Sequence, residues 1–363
     1  MSLRRASRAL AESIEATVAE EERLEAFDYP EAWARVADRP EPIRDASRLL
    51  VYERATGRVE HRRFRDLPDY FSPGDVVVVN DSRVIPARLE GVKIPSGGRV
   101  GVLLVRREGC GVWTALVKGT VRPGQRIAFE GGGEGDVLEP DAAGRVRLRL
   151  TSEDTAWLQR VGRTPLPPYI AKSRGTDTVD QDDLVRYQTV YARTEGSVAA
   201  PTAGLHFTDD VLTALADRSV HVTAVTLHVG PGTFEPLRVA RVVDHRMDAE
   251  WGDVSAETAD AINAARASGG RVIAVGTTTT RLIETASADG FVRPFSGDTS
   301  LFIRPGYRWQ GVDALITNFH LPRSTPLLLA SALCGRTVLL DLYREAAAEG
   351  YRFYSYGDAM VIL

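Results

Sequence analysis

The sequence GSVAAPTAGLHFT, residues Gly196 to Thr208, combines small side chains with turn-forming residues and a single histidine, His206. Small side chains let backbone N–H groups approach a ligand, Gly204 permits a positive φ, and Pro201 fixes the direction of the chain that follows. The same composition suits a tight connection packed under the fold, since glycine and proline interrupt regular structure. The residues of this stretch leave both interpretations open.

Downstream of this stretch, segments of strand and helix character alternate along the chain. The predicted strands are 222–229, 271–275, 314–318 and 351–356, and the predicted helices are 209–218, 257–268, 278–288, 326–333 and 339–349. This alternation predicts an α/β fold with a mainly parallel sheet flanked by helices. Ligands in such sheets bind at the carboxyl ends of the strands.

Upstream, the pattern changes at residue 73 to short apolar runs bounded by glycine and proline. The predicted strands there are 76–79, 99–105, 112–117, 125–129 and 145–150. Closely spaced short strands predict a small antiparallel β-barrel, here as an inserted domain over residues 73–161. Residues 27–72 and 162–363 form the predicted α/β main domain, and residues 1–26 read as a helical N-terminal extension.

Charge is distributed unevenly along a chain whose net charge is −4. Residues 83–126 contain nine lysines and arginines against two acidic residues. A basic module in an acidic protein suits local contact with phosphates. It also suits a solvated sheet with arginines on its exposed face, because few aromatic residues lie between the basic ones.

Composition excludes several classes of protein. No apolar run approaches the roughly 20 residues that span a bilayer, and the acidic N-terminal segment fits neither a secretory signal nor a transit peptide. We therefore predict a cytoplasmic protein without a membrane partner. Two cysteines are too few for a disulfide framework, and the histidines lack metal-ligand spacing, so no metal is expected.

Long segments of the chain resemble the S-adenosylmethionine:tRNA ribosyltransferase-isomerase family of queuosine biosynthesis. They are PGDVVVVNDSRVIPARLEG (73–91), VRYQTVYARTEGSVAAPTAGLHFT (185–208), TLHVGPGTFEP (226–236), VIAVGTTTTRLIE (272–284), DALITNFHLPRSTPLLL (313–329) and YRFYSYGDAMVI (351–362). The resemblance implies a β-barrel inserted into an α/β body, in agreement with the patterns above. It covers the chain from about Phe27 to the C-terminus.

The resemblance also implies a reaction. In this family the ribosyl part of S-adenosylmethionine is transferred to 7-aminomethyl-7-deazaguanine at the wobble position of tRNA and isomerised. The product is epoxyqueuosine, and adenine and methionine are released. S-Adenosylmethionine is thus a co-substrate, no further cofactor is expected, and the anticodon region of tRNA is the implied partner. The sulfonium acidifies the C5′ protons, so a base of near-neutral pKa must remove one of them.

Candidate residues come from the matching motifs. The predicted catalytic residues are His206, His228, His245 and Glu250. The predicted substrate-binding residues are Asp81, Arg83, Ser197, Thr202, Gly204, Phe207, Gly230, Thr277, Thr278, Arg281, Asn318 and His320. Thr277 and Thr278 open a predicted helix, where they suit an anion or ribose, or simply cap the helix. Asp81 and Arg83 share one face of a strand, where they position the acceptor base or tie the domains together.

Among the departures from the family pattern, two motivate an alternative acceptor. Asp248 stands where the family has a second histidine, and Gly101 stands where a glutamate is usual. These departures favour, as an alternative, a related S-adenosylmethionine-using enzyme with a different acceptor. A further alternative is a non-catalytic RNA-binding protein that uses its basic barrel.

Overall fold

A computed structural model describes residues 23–142, 144–151, 155–174, 181–234 and 237–363. The chain divides into two compact units. The first comprises Met1–Asn80, Thr202–Val225 and Gly232–Leu363, and the second comprises Asp81–Pro201 and Thr226–Pro231. Each unit is built around its own sheet.

The first unit is organised on a nine-stranded sheet in the described part of the chain. In sheet order its strands are β17 (Phe295–Thr299), β13 (Glu250–Val254), β12 (His221–Leu227), β3 (Val76–Asn80), β14 (Val272–Val275), β18 (Ala314–Asn318), β19 (Ala359–Ile362), β1 (Arg48–Glu53) and β2 (Arg58–Arg63). The central neighbours β12, β3, β14 and β18 run parallel, as do β19 and β1. Strand β19 is antiparallel to β18, and the outer pairs β1–β2 and β13–β17 are antiparallel.

The centre of this sheet is apolar because it is buried. Strand β3 reads VVVVN and is buried at every position, which is typical of a parallel strand covered on both faces. The α-helices of the first unit are Asp209–Asp217, Ala256–Ala267, Thr277–Ala286, Thr325–Cys334 and Arg336–Ala348. Its short 3₁₀ segments include Leu24–Phe27, Pro30–Arg35, Arg44–Ala46, Phe64–Tyr70, Thr202–His206 and Val242–Asp244.

The second unit contains a closed antiparallel barrel. Its strands in barrel order are β10 (Val146–Leu150), β7 (Val112–Lys118), β6 (Arg99–Gly109), β5 (Arg88–Ile94), β8 (Arg126–Phe129) and β9 (Glu134–Leu138). Inward-facing residues such as Leu89, Val102 and Leu148 form its core, and Trp157 of the helix Thr155–Val161 packs on Phe129. The short strands β4 (Ser82–Val84) and β11 (Thr194–Ser197) pair in parallel, and the unit contains two further helices, Pro168–Arg174 and Gln181–Arg186.

The predicted fold class is confirmed, and several details differ. Strand 76–79, predicted in the barrel, lies instead at the centre of the nine-stranded sheet. The predicted strand 351–356 is wrong: the strand that follows Tyr351 is Ala359–Ile362. The compact units change over at Asn80–Asp81 and Pro201–Thr202, whereas the predicted insert ran from 73 to 161. Most of the predicted N-terminal extension lies outside the described residues.

No single helix in the described ranges has both the length and the apolar composition to cross a bilayer. The helices Thr325–Cys334 and Arg336–Ala348 meet those criteria only as a pair bent by 111°.

Candidate active site

Polar side chains collect at the carboxyl ends of three neighbouring parallel strands in the first unit. Strand β3 ends at Asn80, β14 runs into Gly276, and β18 ends at Asn318. Asn80 Nδ2 donates a hydrogen bond to Thr278 Oγ1 at 3.4 Å, and the Gly276 N–H donates to the Ile316 carbonyl at 2.8 Å. This is the edge at which α/β sheets bind ligands.

The threonine run starts a helix that contributes to a pocket. Gly276 has φ +89°, a conformation that favours glycine, and the helix begins at Thr277. Thr279 Oγ1 and Thr280 Oγ1 donate to the carbonyls of Val275 and Gly276, so these two hydroxyls serve the helix itself. Thr277 and Thr278 line the pocket instead. The helix start has no side-chain cap, and ligand binding by Thr277 and Thr278 stays a prediction.

A second helix start faces the same pocket. The helix Thr325–Cys334 is capped by Ser324, whose hydroxyl accepts from the Leu327 N–H at 3.4 Å. Thr325 and Pro326 of its first turn line the pocket. The remaining lining residues are Met247, Arg281, Leu301, Phe302, Ile303 and Leu329. Two helix N-termini give this pocket a positive potential that suits a carboxylate or another electron-rich group.

Arg281 joins the pocket to a buried carboxylate. Its guanidinium forms an ion pair with Glu250, and the two side chains are only 7% and 8% exposed. Arg281 Nε also donates to the Leu301 carbonyl at 3.0 Å, and Nη2 donates to the Thr299 carbonyl at 3.4 Å. Glu250 is therefore engaged with a cation, so the geometry favours a role in holding Arg281 over one as a base.

Glu284, on the same helix as Arg281, holds the segment that follows the pocket wall. Its carboxylate accepts from the Tyr307 hydroxyl at 3.0 Å and from the backbone N–H groups of Gln310, Gly311 and Val312 at 2.9–3.0 Å. Burial and the Glu284 carboxylate both raise the pKa of Tyr307, which stays a hydrogen-bond donor. One helix thus fixes residues 299–312 at two places.

His245 lies next to the pocket. Its ring packs edge-on against Phe302, with ring centroids 5.1 Å apart, and Phe302 and the nearby Met247 both line the pocket. Burial lowers the pKa of His245, and the negative charge of Asp248 opposes that shift. The ring is therefore favoured in its neutral form, which is the form that can accept a proton.

His206, in contrast, is enclosed within the first unit. Its Nδ1 lies 2.7 Å from Ser47 Oγ, its Nε2 lies 3.1 Å from Asn318 Nδ2, and its ring stacks on Phe64. Burial lowers its pKa to about 3, with the positive charges of Arg352 and Arg44 adding to the effect. A neutral ring with both nitrogens engaged suits a positioning role, and a role as general base stays a prediction.

His320 is also buried, and its ring is neutral near pH 7. Burial lowers its pKa to about 3, and its Nε2 lies 2.6 Å from Thr317 Oγ1. Its backbone is held by tyrosines: the N–H donates to the Tyr343 hydroxyl at 3.1 Å, and its carbonyl accepts from Tyr29. These contacts support a structural contribution, and substrate binding by His320 stays a prediction.

The second unit brings together three of the predicted residues, Asp81, Ser197 and His228. Thr226 Oγ1 donates to Asp81 Oδ1 at 2.6 Å, and Ser197 Oγ accepts from the Val229 N–H at 2.9 Å. Burial lowers the pKa of the neighbouring His228, opposed by Asp81. Gly196 interrupts strand β11 with φ +144°, and a Cβ there would lie 2.6 Å from His228 Nε2. Only glycine therefore leaves room for this ring.

The other predicted binding residues occupy varied environments. Arg83 is exposed opposite Glu195 in the β4–β11 pair, and Thr202 and Gly230 are half-buried. Gly204 and Phe207 are buried, with Phe207 packed edge-on against Phe64. No group of three or more His, Cys, Asp or Glu side chains suited to a metal ion occurs in the ranges that the structure describes.

Comparison with known proteins identifies the family. A family model described as "Queuosine biosynthesis protein" matches residues 24–362.

The chain belongs to the queuosine biosynthesis protein family.

Curated relatives of this family match along their whole length. The S-adenosylmethionine:tRNA ribosyltransferase-isomerase of Symbiobacterium thermophilum is 50% identical over 347 residues, which cover 94% of this chain and 100% of that protein. The enzyme of the same name from Moorella thermoacetica is 48% identical over 353 residues, with 94% and 100% covered. The crystal structure of S-adenosylmethionine tRNA ribosyltransferase from Thermotoga maritima superposes with a TM-score of 0.53 at 33% identity, covering 93% of this chain and 100% of that one.

Several residues that line the pocket of this queuosine biosynthesis family member were not predicted from the sequence. Thr325, Phe302 and Ile303 were not predicted as site residues, although Ser324 before Thr325-Pro326 is a recognisable helix start. Ser47, the partner of His206, lies 159 residues away in the chain and carries no local signal. The structure does bring Thr277, Thr278 and Arg281 together at one pocket, with Glu250 behind Arg281.

Proposed function

We infer that this chain is an S-adenosylmethionine:tRNA ribosyltransferase-isomerase. The observation that carries the inference is the match over the full length of the Symbiobacterium thermophilum enzyme at 50% identity. The chain transfers the ribosyl moiety of S-adenosylmethionine to 7-aminomethyl-7-deazaguanine in tRNA and isomerises it. The product is epoxyqueuosine, with release of adenine and methionine.

The pocket of the first unit meets the chemical demands of S-adenosylmethionine. Its methionine carboxylate requires a positive environment, which the helix starts at Thr277 and Thr325 supply together with Arg281. Met247, Phe302 and Leu329 provide apolar surface for the uncharged parts of the molecule. We therefore place S-adenosylmethionine in this pocket.

Removal of a C5′ proton requires a base that is neutral near pH 7. Of the four predicted catalytic residues, His245 is the best candidate, because it is half-buried and contacts Phe302, which lines the first unit's pocket. Its pKa lies below the ordinary value, so the ring is neutral and able to accept the proton. Asp248 stabilises the imidazolium that forms.

The acceptor we propose is the wobble base in the anticodon region of tRNA. The decisive experiment incubates purified protein and S-adenosylmethionine with tRNA bearing the 7-aminomethyl-7-deazaguanine precursor, and follows nucleoside mass and free adenine. Adenine release and a mass increase in the precursor nucleoside are expected. Unmodified tRNA and a small amine serve as controls.

The same assay separates the alternatives. Adenine release with the small amine but not with precursor tRNA would indicate a related enzyme with another acceptor. A protein that binds tRNA but not S-adenosylmethionine would be a non-catalytic RNA-binding protein, and the proposal would be wrong.

A further inference from the structure

The outward-facing side chains of β8, β5, β6 and β7 form one continuous wall of the barrel. Side chains alternate between the two faces of strand β6. Val100 and Val102 are buried in the barrel core, so the alternate residues Arg99 and Gly101 face outward. The strand register places Val92 opposite both Arg99 and Ala128, and Gly101 opposite Lys118. We call this surface the outer wall.

The outer wall exposes apolar side chains on several neighbouring strands. Val92, Ile94 and Leu116 are 40%, 38% and 40% exposed, although each lies within a regular strand. Gly101 has no side chain of its own, and the carboxylate of its register partner Glu90 lies against it on the same face. Phosphates are therefore expected to meet the cations beside this acidic group.

The cations of the outer wall are available for a partner. Arg99 and Lys118 are exposed, and neither contacts a carboxylate in the part of the chain that the structure describes. Arg126 on the same wall differs, because Glu134 and Asp136 lie 3.4 and 3.2 Å from it. The unit as a whole contains 18 lysines and arginines against 15 aspartates and glutamates, whereas the complete chain has a net charge of −4.

We propose that the outer wall is the docking surface for the sugar–phosphate backbone of the tRNA substrate. This proposal rests on the proposed function, which supplies an RNA partner. Arg99 and Lys118 pair with phosphates, while Val92, Ile94 and Leu116 contact the apolar faces of ribose and bases. Aliphatic side chains offer no hydrogen bonds to base edges, so the contact is indifferent to base sequence.

The test measures tRNA affinity in the absence of S-adenosylmethionine, by fluorescence anisotropy over a series of salt concentrations. The variants Arg99→Glu and Lys118→Glu are compared with Arg149→Glu, an exposed arginine on β10, which lies opposite β5 in the barrel order. Each outer-wall reversal is expected to weaken binding by about tenfold at low salt and to reduce the salt slope by about one. Arg149→Glu is expected to bind like the wild type.

A fourth variant, Leu116→Ser, isolates the apolar contribution. It is expected to weaken binding while leaving the salt slope unchanged, because no charge is lost. S-Adenosylmethionine binding, measured separately by calorimetry, is expected to be unchanged in all four variants.

Equal effects of all three charge reversals would overturn the outer wall as a docking surface and leave the proposed function intact. Absence of tRNA binding by the wild type would overturn both. If Arg99→Glu and Lys118→Glu bound tRNA normally while Leu116→Ser abolished a concentration-dependent dimer in sedimentation, the wall would be a self-association surface and the proposal would be wrong.

Discussion

Asn318 presents its amide nitrogen to His206, with Nδ2 and Nε2 3.1 Å apart. The same nitrogen also lies 3.4 Å from the Asp358 carbonyl, so it must be the donor in both contacts. The amide orientation is thereby fixed, and Asn318 Oδ1, in a side chain only 2% exposed, has no hydrogen-bond partner among the described residues. His206 accordingly acts on the carboxyl end of β18 by holding this amide.

Replacing His206 tests that positioning role. His206→Ala removes the acceptor for Asn318 Nδ2 and leaves a cavity against Phe64, so we expect a folded protein destabilised by about 2–4 kcal/mol. Turnover should fall roughly 100-fold because the site geometry relaxes. Urea denaturation and adenine release measure the two effects. His206→Gln, which restores an acceptor, should recover part of the activity, and full activity in His206→Ala would contradict the role.

Acid should destabilise the protein through its buried neutral histidines. The pKa of His206 and that of His320 are lowered to about 3, whereas an unfolded histidine titrates near 6.5. Between these values the unfolded chain binds more protons, so the free energy of unfolding falls as pH decreases from about 6.5. Each histidine contributes a slope of about 1.4 kcal/mol per pH unit.

The difference between wild type and His206→Gln isolates one of these contributions, since the carboxylates are common to both proteins. We expect the variant's stability to depend less steeply on pH, by about 1.4 kcal/mol per unit between pH 4 and 6. Parallel stability curves in that range would show that His206 is protonated in the folded state.

The Arg281–Glu250 pair should serve both stability and ligand binding. Arg281→Ala leaves the buried Glu250 carboxylate without its cation, and we expect a loss of about 3–5 kcal/mol in the free energy of unfolding. The double variant Arg281→Met with Glu250→Leu should recover much of that loss, because an apolar pair replaces a buried ion pair. It should still fail to bind S-adenosylmethionine by calorimetry. Normal binding by the double variant would remove Arg281 from the site.

The pH dependence of turnover should report His245. Loss of activity at low pH is expected as the ring becomes protonated, and Asp248 raises the pKa at which this happens. Asp248→Asn removes that negative charge, so the pKa of His245 should fall and the acidic limb of the kcat/KM profile should move to lower pH. His245→Gln should abolish the limb together with most of the activity. An unshifted limb in Asp248→Asn would exclude His245 as the titrating group.

Local patterns predicted the elements with strong periodicity. Strand Ala314–Asn318 was predicted with its exact bounds, and the helix Thr277–Ala286 was placed within two residues at either end. Strand β3 was found but assigned to the barrel, because four successive valines show a strand without showing its neighbours. Only the parallel pairing with β12 and β14, remote in sequence, places it in the larger sheet.

The sequence predicted several residues of the site but not the contacts between them. Motif matches named Glu250 and Arg281, but nothing in their spacing indicates that they form a buried ion pair. The same motifs named His206 among the catalytic candidates, since sequence does not reveal enclosure by Ser47 and Asn318. Burial, which sets the protonation of a histidine, is a property of the assembled fold.

The helix Thr277–Ala286 holds the segment that follows β17 at two places. Arg281 bonds the carbonyls of Thr299 and Leu301. Glu284 accepts hydrogen bonds from the stretch between Tyr307 and Val312. Phe302 and Ile303 lie between these two attachment points and line the pocket. This side of the pocket is therefore preorganised before a ligand binds. Discrimination by molecular size is built into that side.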